Sequence, residues 1–145
     1  MALVRDLLQN KGWDVWTIAP GATVYEALEL MAQKDVGALP VYEDGAVIGM
    51  FSERDYARKV ILKGKSSRET SVGELMSSPV YSIGPTDTLE DCLVLMTVHR
   101  IRHLPVMDRG KLVGLVSIGD VVKATIADQR VLIKDLENYI MGSPG

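Results

Sequence analysis

Apolar positions along the chain fall into two rhythms, each met twice. Val24, Ala27, Leu28 and Met31 are spaced i, i+3, i+4 and i+7, and the spacing returns at Leu89, Cys92, Leu93 and Met96. Such spacing gathers the apolar side chains on one stripe of a helix. Thr23 and Thr88 stand just before these runs, where a hydroxyl can accept from the first free amides, so each reads as an N-cap. Ahead of each helix lies a short β-rich run, Val15–Ile18 or Val80–Ile83, stopped by Pro20 or Pro85. Behind it come two more β-rich runs, Ala38–Tyr42 and Val47–Phe51, or His103–Met107 and Leu112–Val116. Glu43-Asp44-Gly45 and Asp108-Arg109-Gly110 separate them, which predicts a hairpin in each half. Ser52 or Ser117 then opens a second helix, with Tyr56, Val60 and Ile61, or Val121, Val122 and Ile126, as apolar positions.

The two halves are copies. A shift of 65 positions lays Pro20–Ile61 on Pro85–Ile126 without a gap, with 13 identities in 42 positions. Unrelated sequence of this composition would give about two or three. The unit is strand, helix, strand, strand, helix, which implies an α/β (α+β) fold with a three-stranded sheet and two helices per copy. One copy is too thin to bury its own apolar face, so the expectation is two copies packed sheet to sheet with pseudo-twofold symmetry. The chain divides into an N-terminal helical segment (1–14, helical over Leu3–Leu8), repeat 1 (15–62) and an ordered linker (63–79) with a short helical turn at Val72–Met76. Repeat 2 (80–127) and a C-terminal helix and tail (128–145) follow, with Val131–Met141 helical and Gly142–Gly145 frayed.

Length and composition add bounds. At 145 residues, 47% hydrophobic and 24% charged, the chain is ordinary for a globular domain and long enough to fold without a metal or disulfide. The single Cys92 cannot form an internal bridge, which fits a reducing compartment, and it falls on an apolar helix stripe as an inert core residue. The absence of a signal-peptide pattern or a run of about 20 apolar residues predicts a cytoplasmic protein with no membrane role. A net charge of −3 argues against nucleic acid as a partner.

Catalytic chemistry is poorly represented. His99, His103 and Cys92 have no metal-ligand spacing, and neither a Walker loop nor G-x-G-x-x-G occurs. Asp87, Glu90 and Asp91 crowd a helix start, where they complement the dipole. Trp13 and Trp16 flank the first β-rich run and read as core or dimer contacts rather than a stacking platform. The chain is therefore expected not to be an enzyme and to hold no metal.

The ordered set Pro, Thr, helix, Leu-Pro-Val, Gly, Gly-apolar-apolar-Ser-x-x-Asp occurs in both halves, with Leu39-Pro40-Val41 matching Leu104-Pro105-Val106. It resembles the cystathionine-β-synthase (CBS) domain over about Asp14 to Thr125, and the segment Ser52–Met76 is similar to that of small stand-alone CBS pairs. The resemblance implies a regulatory Bateman module that dimerises and binds adenosine derivatives in clefts between its two repeats. AMP, ADP, ATP and NAD are the expected ligands, acting as regulators and not as catalytic cofactors, with S-adenosylmethionine as an alternative. A further alternative is a pure interaction module, controlling a partner enzyme in trans without any nucleotide.

The resemblance also assigns residues. Asp55 and Asp120 would accept from the ribose hydroxyls, with Ser52 and Ser117 holding ribose or phosphate. A carboxylate suits this because it is acceptor-only when ionised. The competing reading is a capping box, Ser and the acidic residue three later tying off the helix start. Arg102 and His103 stand where repeat 1 has Gly37 and Ala38, so they are candidate phosphate contacts or, alternatively, a solvated basic edge. Gly37 and Ala38 either leave room for the nucleoside or pack closely. Arg54 would reach a phosphate beside Asp55, or pair with Glu53 or Glu69. Backbone groups around Ile18 and Ile83 would read the adenine edge, flanked by Met50 and Leu115.

Overall fold

A computed structural model describes residues 2–141; the tail expected at Gly142–Gly145 lies outside them. Its elements in chain order are α1 (Val4–Lys11), α2 (Val24–Lys34), β1 (Ala38–Glu43), β2 (Ala46–Ser52), α3 (Glu53–Asp55) running on as a π-helical stretch (Tyr56–Ile61), α4 (Val72–Leu75), α5 (Leu89–His99), β3 (His103–Asp108), β4 (Lys111–Ser117) and α6 (Ile118–Ile140). The fold is mixed helix and strand, with β1–β2 and β3–β4 as two small antiparallel sheets.

Two compact units are present. One comprises Asp14–Tyr81 with Arg109–Leu112; the other takes the chain up to Trp13, Ser82–Asp108 and the chain from Val113 onward. In the first unit the α2 stripe (Val24, Ala27, Met31) closes on Leu39 and Val41 of β1 and Phe51 of β2, with Val60 and Val72 completing the cluster. Phe51, Leu39, Val24, Val41, Val60 and Val72 are wholly buried. In the second unit Leu89, Cys92 and Met96 of α5 are buried, as are Leu104, Val106 and Val116 of the strands, together with Val4, Leu7 and Leu8 of α1.

Local sequence explains the element ends. Thr23 and Thr88 accept from the amides of Glu26 and Asp91, as N-caps should. Both hairpins turn on two residues with positive φ, Asp44-Gly45 (50° and 81°) and Arg109-Gly110 (53° and 77°), the left-handed pair that matches strand twist. The C-caps Asp35 and Arg100 are left-handed too, so the divergent tetrads 35–38 and 100–103 share one backbone path from helix to strand.

Several expectations need correction. The β-rich runs Val15–Ile18 and Val80–Ile83 are not strands; each makes one parallel bridge, Ile18 to Val41 and Ile83 to Val106, so the sheets are two-stranded. A parallel ladder would next need a donor two residues on, and there stand Pro20 and Pro85, which have no N–H. The helix after Ser117 and the segment Val131–Met141 run together as one 23-residue helix, since beyond Gly119 in its first turn α6 contains neither Gly nor Pro. In repeat 1 the corresponding path widens into the π-helical stretch and ends by Gly64, at φ 66°.

The flanking segments have a role that the ungapped 65-residue alignment hides. Val72 and Gly73 donate to Ala22 O and Pro20 O, while Ser71 bridges Thr23. Val4 and Arg5 donate to Asp87 O and Pro85 O, while Leu3 bridges Thr88. Thus α4 seals the helix start in the first unit and α1 does so in the second, a correspondence at a shift of 68.

Candidate functional site

In the first unit, β2 delivers Ser52 to the start of α3, and Ser52 accepts from Asp55 N at 3.1 Å while Asp55 Oδ2 accepts from Ser52 N and Ser52 Oγ, each at 3.0 Å. Asp55 Oδ1 accepts from Ser77 Oγ at 2.9 Å and faces Lys59 Nζ at 3.1 Å. Lys59 also donates to Leu75 O and Ser77 Oγ. A carboxylate offers about four lone-pair directions, and here all four are taken by the chain. Asp55 is accordingly buried.

Around it the other predicted residues are placed as follows. Ile18 N donates to Pro40 O and its carbonyl accepts from Tyr42 N, so its backbone is spent and any adenine edge would fall to its neighbours. Ala38 is packed at 1% exposure opposite Ser52, and the Gly37 carbonyl accepts from Glu53 N. Gly37 does border a hollow of about 280 Å³ against Met31, but Asp35 and Glu53 line the same hollow and would repel a phosphate. Met50 exchanges both backbone bonds with Ser77. Arg54 is exposed at the start of α3.

The second unit repeats the cap and changes its surroundings. Ser117 accepts from Asp120 N at 3.1 Å, and Asp120 Oδ2 accepts from Ser117 N at 2.9 Å. A distant partner is Lys11, at the last turn of α1, whose ammonium holds Asp120 Oδ2 and donates to Leu115 O at 2.7 Å. Lys11 Nζ and Ser117 N both sit on Oδ2, the Ser117 hydroxyl adds a weaker hydrogen bond to the carboxyl, and neither Lys11 nor the Ser117 amide occupies Oδ1. Burial pushes the Asp120 carboxyl up, but the Lys11 bond and the Ser117 amide outweigh it and hold it below the usual carboxylate range.

His103 opens β3, and Arg102 beside it is exposed, its carbonyl accepting from Ile118 N at the start of α6. Burial lowers the His103 pKa, and Lys11 and Arg102 lower it further against the opposing pull of Asp120. His103 is therefore neutral at pH 7, and Lys11 and Arg102 carry the local positive charge. Leu115 is buried at 7% exposure and contributes its carbonyl rather than a ring-facing surface. Ile83, like Ile18, has its amide and carbonyl committed, to Pro105 O and Met107 N.

Sequence reasoning missed Lys11, Lys59 and Ser77. Lys59 lies one helical turn beyond Asp55 and was open to inspection by its i, i+4 spacing. Lys11 is 109 residues from Asp120, and only the weak likeness of Val4-x-Asp6-Leu7-Leu8 to Val72-x-Glu74-Leu75-Met76 could have tied its segment to a repeat. Among the described residues no group of three His, Cys, Asp or Glu is placed to hold a metal ion, and no helix is long and apolar enough to cross a membrane.

Comparison with known proteins agrees with this duplicated arrangement. The family model of the CBS domain matches twice, at residues 4–62 and 72–127, so that each match begins at the segment containing α1 or α4. The CBS domain-containing protein YhcV of Bacillus subtilis is 41% identical over 120 residues, covering 83% of each chain. A solved CBS-domain protein of Burkholderia ambifaria is 46% identical with a TM-score of 0.83, over 88% of this chain and 96% of that one. The solved CBS pair of protein MJ0100, in complex with 5′-methylthioadenosine and S-adenosyl-L-methionine, is 20% identical with a TM-score of 0.74 over 88% of this chain and 98% of that one. With both repeats matched and most of the chain covered, this protein belongs to the CBS-domain family, as a tandem pair.

Proposed function

We propose that this chain is a regulatory module that binds an adenosine nucleotide at the Ser117–Asp120 corner of its second repeat. The observation that carries this reading is the partly exposed Asp120 carboxylate, with Lys11 on Oδ2, no counterpart of the Ser77 and Lys59 pair on Oδ1, and Arg102 beside the neighbouring His103. A ribose hydroxyl donates to a carboxylate oxygen, and the positive charge together with the start of the 23-residue α6 favours phosphate. AMP, ADP, ATP and NAD all combine these groups. CBS pairs are regulatory modules, and the MJ0100 pair, alike in fold, holds two adenosine-containing ligands.

That neighbour also favours a second reading, S-adenosylmethionine. Its sulfonium is cationic and has no phosphate, so Lys11 and Arg102 count against it. A regulated enzyme in trans completes the proposal, and the exposed apolar residues of α5 and α6 suit a homodimer. Titration calorimetry with AMP, ATP, NAD and S-adenosylmethionine tests the reading. Binding of a phosphate-bearing ligand that weakens with salt supports it. Tighter binding of S-adenosylmethionine than of any phosphate-bearing ligand transfers support to the second reading, and silence towards all four overturns both.

A further inference from the structure

The two carboxylates of the repeated Ser-x-x-Asp motif differ in what they have left to offer. Asp55 has Ser52 N and Ser52 Oγ on one oxygen, Ser77 Oγ and Lys59 Nζ on the other, and a side chain 12% exposed. Asp120 has Ser117 N and Lys11 Nζ together on Oδ2 and a weak bond from the Ser117 hydroxyl, no counterpart of the Ser77 and Lys59 pair on Oδ1, and a side chain 27% exposed. The Lys11 ammonium has three donors, of which Leu115 O and Asp120 Oδ2 take two. A less filled acceptor and a spare donor therefore stand side by side in the second unit. A hydroxyl group requires that pairing, since it donates its proton and accepts at its lone pairs.

We propose that the chain binds one nucleoside, at Asp120, where Lys11 is a second ribose contact that donates to the hydroxyl whose proton Asp120 accepts. Asp55 is its closed counterpart, filled by Ser77 and Lys59. The inference rests on the adenosine reading above and adds two things to it, the stoichiometry and the role of Lys11. The difference arises from the segments beyond the motif. In the first unit the α4 segment brings in a serine, a donor short enough to seat fully on Asp55. In the second unit the α1 segment brings a lysine, which bridges to one oxygen only.

Calorimetric titration with AMP tests it on the full chain. The expected stoichiometry is one AMP per chain, with Asp120→Asn losing roughly tenfold to a few hundredfold in affinity. Ser77→Ala combined with Lys59→Met should open the closed site and raise the stoichiometry to two. Lys11→Met should cost about tenfold for AMP and erase its preference over whichever of 2′-deoxy-AMP and 3′-deoxy-AMP binds less well, with Lys11→Gln as a second variant of smaller volume change. Two AMP per native chain would overturn the proposal, as would an Asp55→Asn loss equal to that of Asp120→Asn. An opened variant that still binds one AMP removes the closure by Ser77 and Lys59, and unchanged AMP affinity in both Lys11 variants removes the role of Lys11. No binding of any adenosine ligand by the native chain would instead sink the adenosine reading itself.

Discussion

Leu8 lies across Gly114, so that a Cβ at position 114 would stand 3.0 and 3.1 Å from the two Leu8 methyl carbons. Met76 covers Gly49 in the same manner, with its sulfur and Cγ 2.5 and 2.8 Å from the position a Cβ would take. The two glycines are 65 residues apart and the two covering side chains 68 apart, so each unit closes its second strand with a residue from a segment outside the 65-residue alignment. Contact this close is available only to glycine, and it fixes where α1, and hence Lys11, can sit.

Gly114→Ala should therefore destabilise by about 1–3 kcal/mol, because Leu8 is wholly buried and has little room to yield. Gly49→Ala should cost less despite the nearer approach, since Met76 is only partly buried and its thioether is flexible. Urea denaturation of the two variants checks the order. A larger loss at Gly49 would mean that α4 is held more rigidly than α1.

Ser117→Ala and Asp120→Asn separate capping from binding. The first removes the acceptor for the Asp120 amide and should lower stability by about 1 kcal/mol. The second keeps an oxygen for the Ser117 amide, so its melting temperature should move less while AMP affinity falls. Thermal melts beside titrations decide it, and a variant pair that changes only in melting would leave Asp120 as a cap. Thr88 and Asp91 form the same box at the start of α5, which shows that an Asp at this spacing is no sign of a ligand by itself.

Acid should weaken the fold through His103 first. Its pKa is lowered in the folded state, so below its ordinary value of 6.5 the unfolded chain takes up a proton that the folded chain refuses. Stability is thus full above that pH and falls as the pH drops towards the folded pKa. Asp120, also lowered, adds the same sign of loss below 3.8. His103→Gln should flatten the melting temperature between pH 7 and 5, and an unchanged slope would assign the loss to other groups.

Cys92 should be inert to thiol reagents in the native state. It is fully buried, and burial, reinforced by Asp87 and Asp91, pushes its thiol up to about 12. At pH 8 labelling should be slow until denaturant is added. Rapid native labelling would reveal opening of α5.

The proposed homodimer should use exposed apolar side chains of α5 and α6. Val98 is 66% exposed, and Val131, Leu132, Ile133, Leu136 and Ile140 are exposed along the distal half of α6. Light scattering should give twice the chain mass, and Val98→Glu or Leu132→Glu should shift it towards the monomer. A native monomer at micromolar concentration would overturn this.

Local chemistry alone determined the repeats, the helix caps and the hairpin turns. A cap joins residues three apart and a hairpin turn joins neighbours, so Thr23, Ser52, Asp44-Gly45 and their counterparts announce themselves in a linear reading. The apolar stripes of α2 and α5 were legible for the same reason, because helical periodicity is written within seven residues. The resemblance added the Ser-x-x-Asp positions, yet nothing in the motif distinguishes Asp55 from Asp120.

Tertiary structure decided that difference. Which lone pairs remain open depends on Ser77, 22 residues from Asp55, and on Lys11, 109 residues from Asp120. Such pairs are set by where α1 and the α4 segment lie across the strands, and close packing over Gly114 and Gly49 governs that placement. The same holds for the backbone of Ile18 and Ile83, whose polar groups are spent in single bridges limited by Pro20 and Pro85. Local hydrogen bonds follow from residue type and spacing, whereas the availability of a site follows from what folding brings beside it.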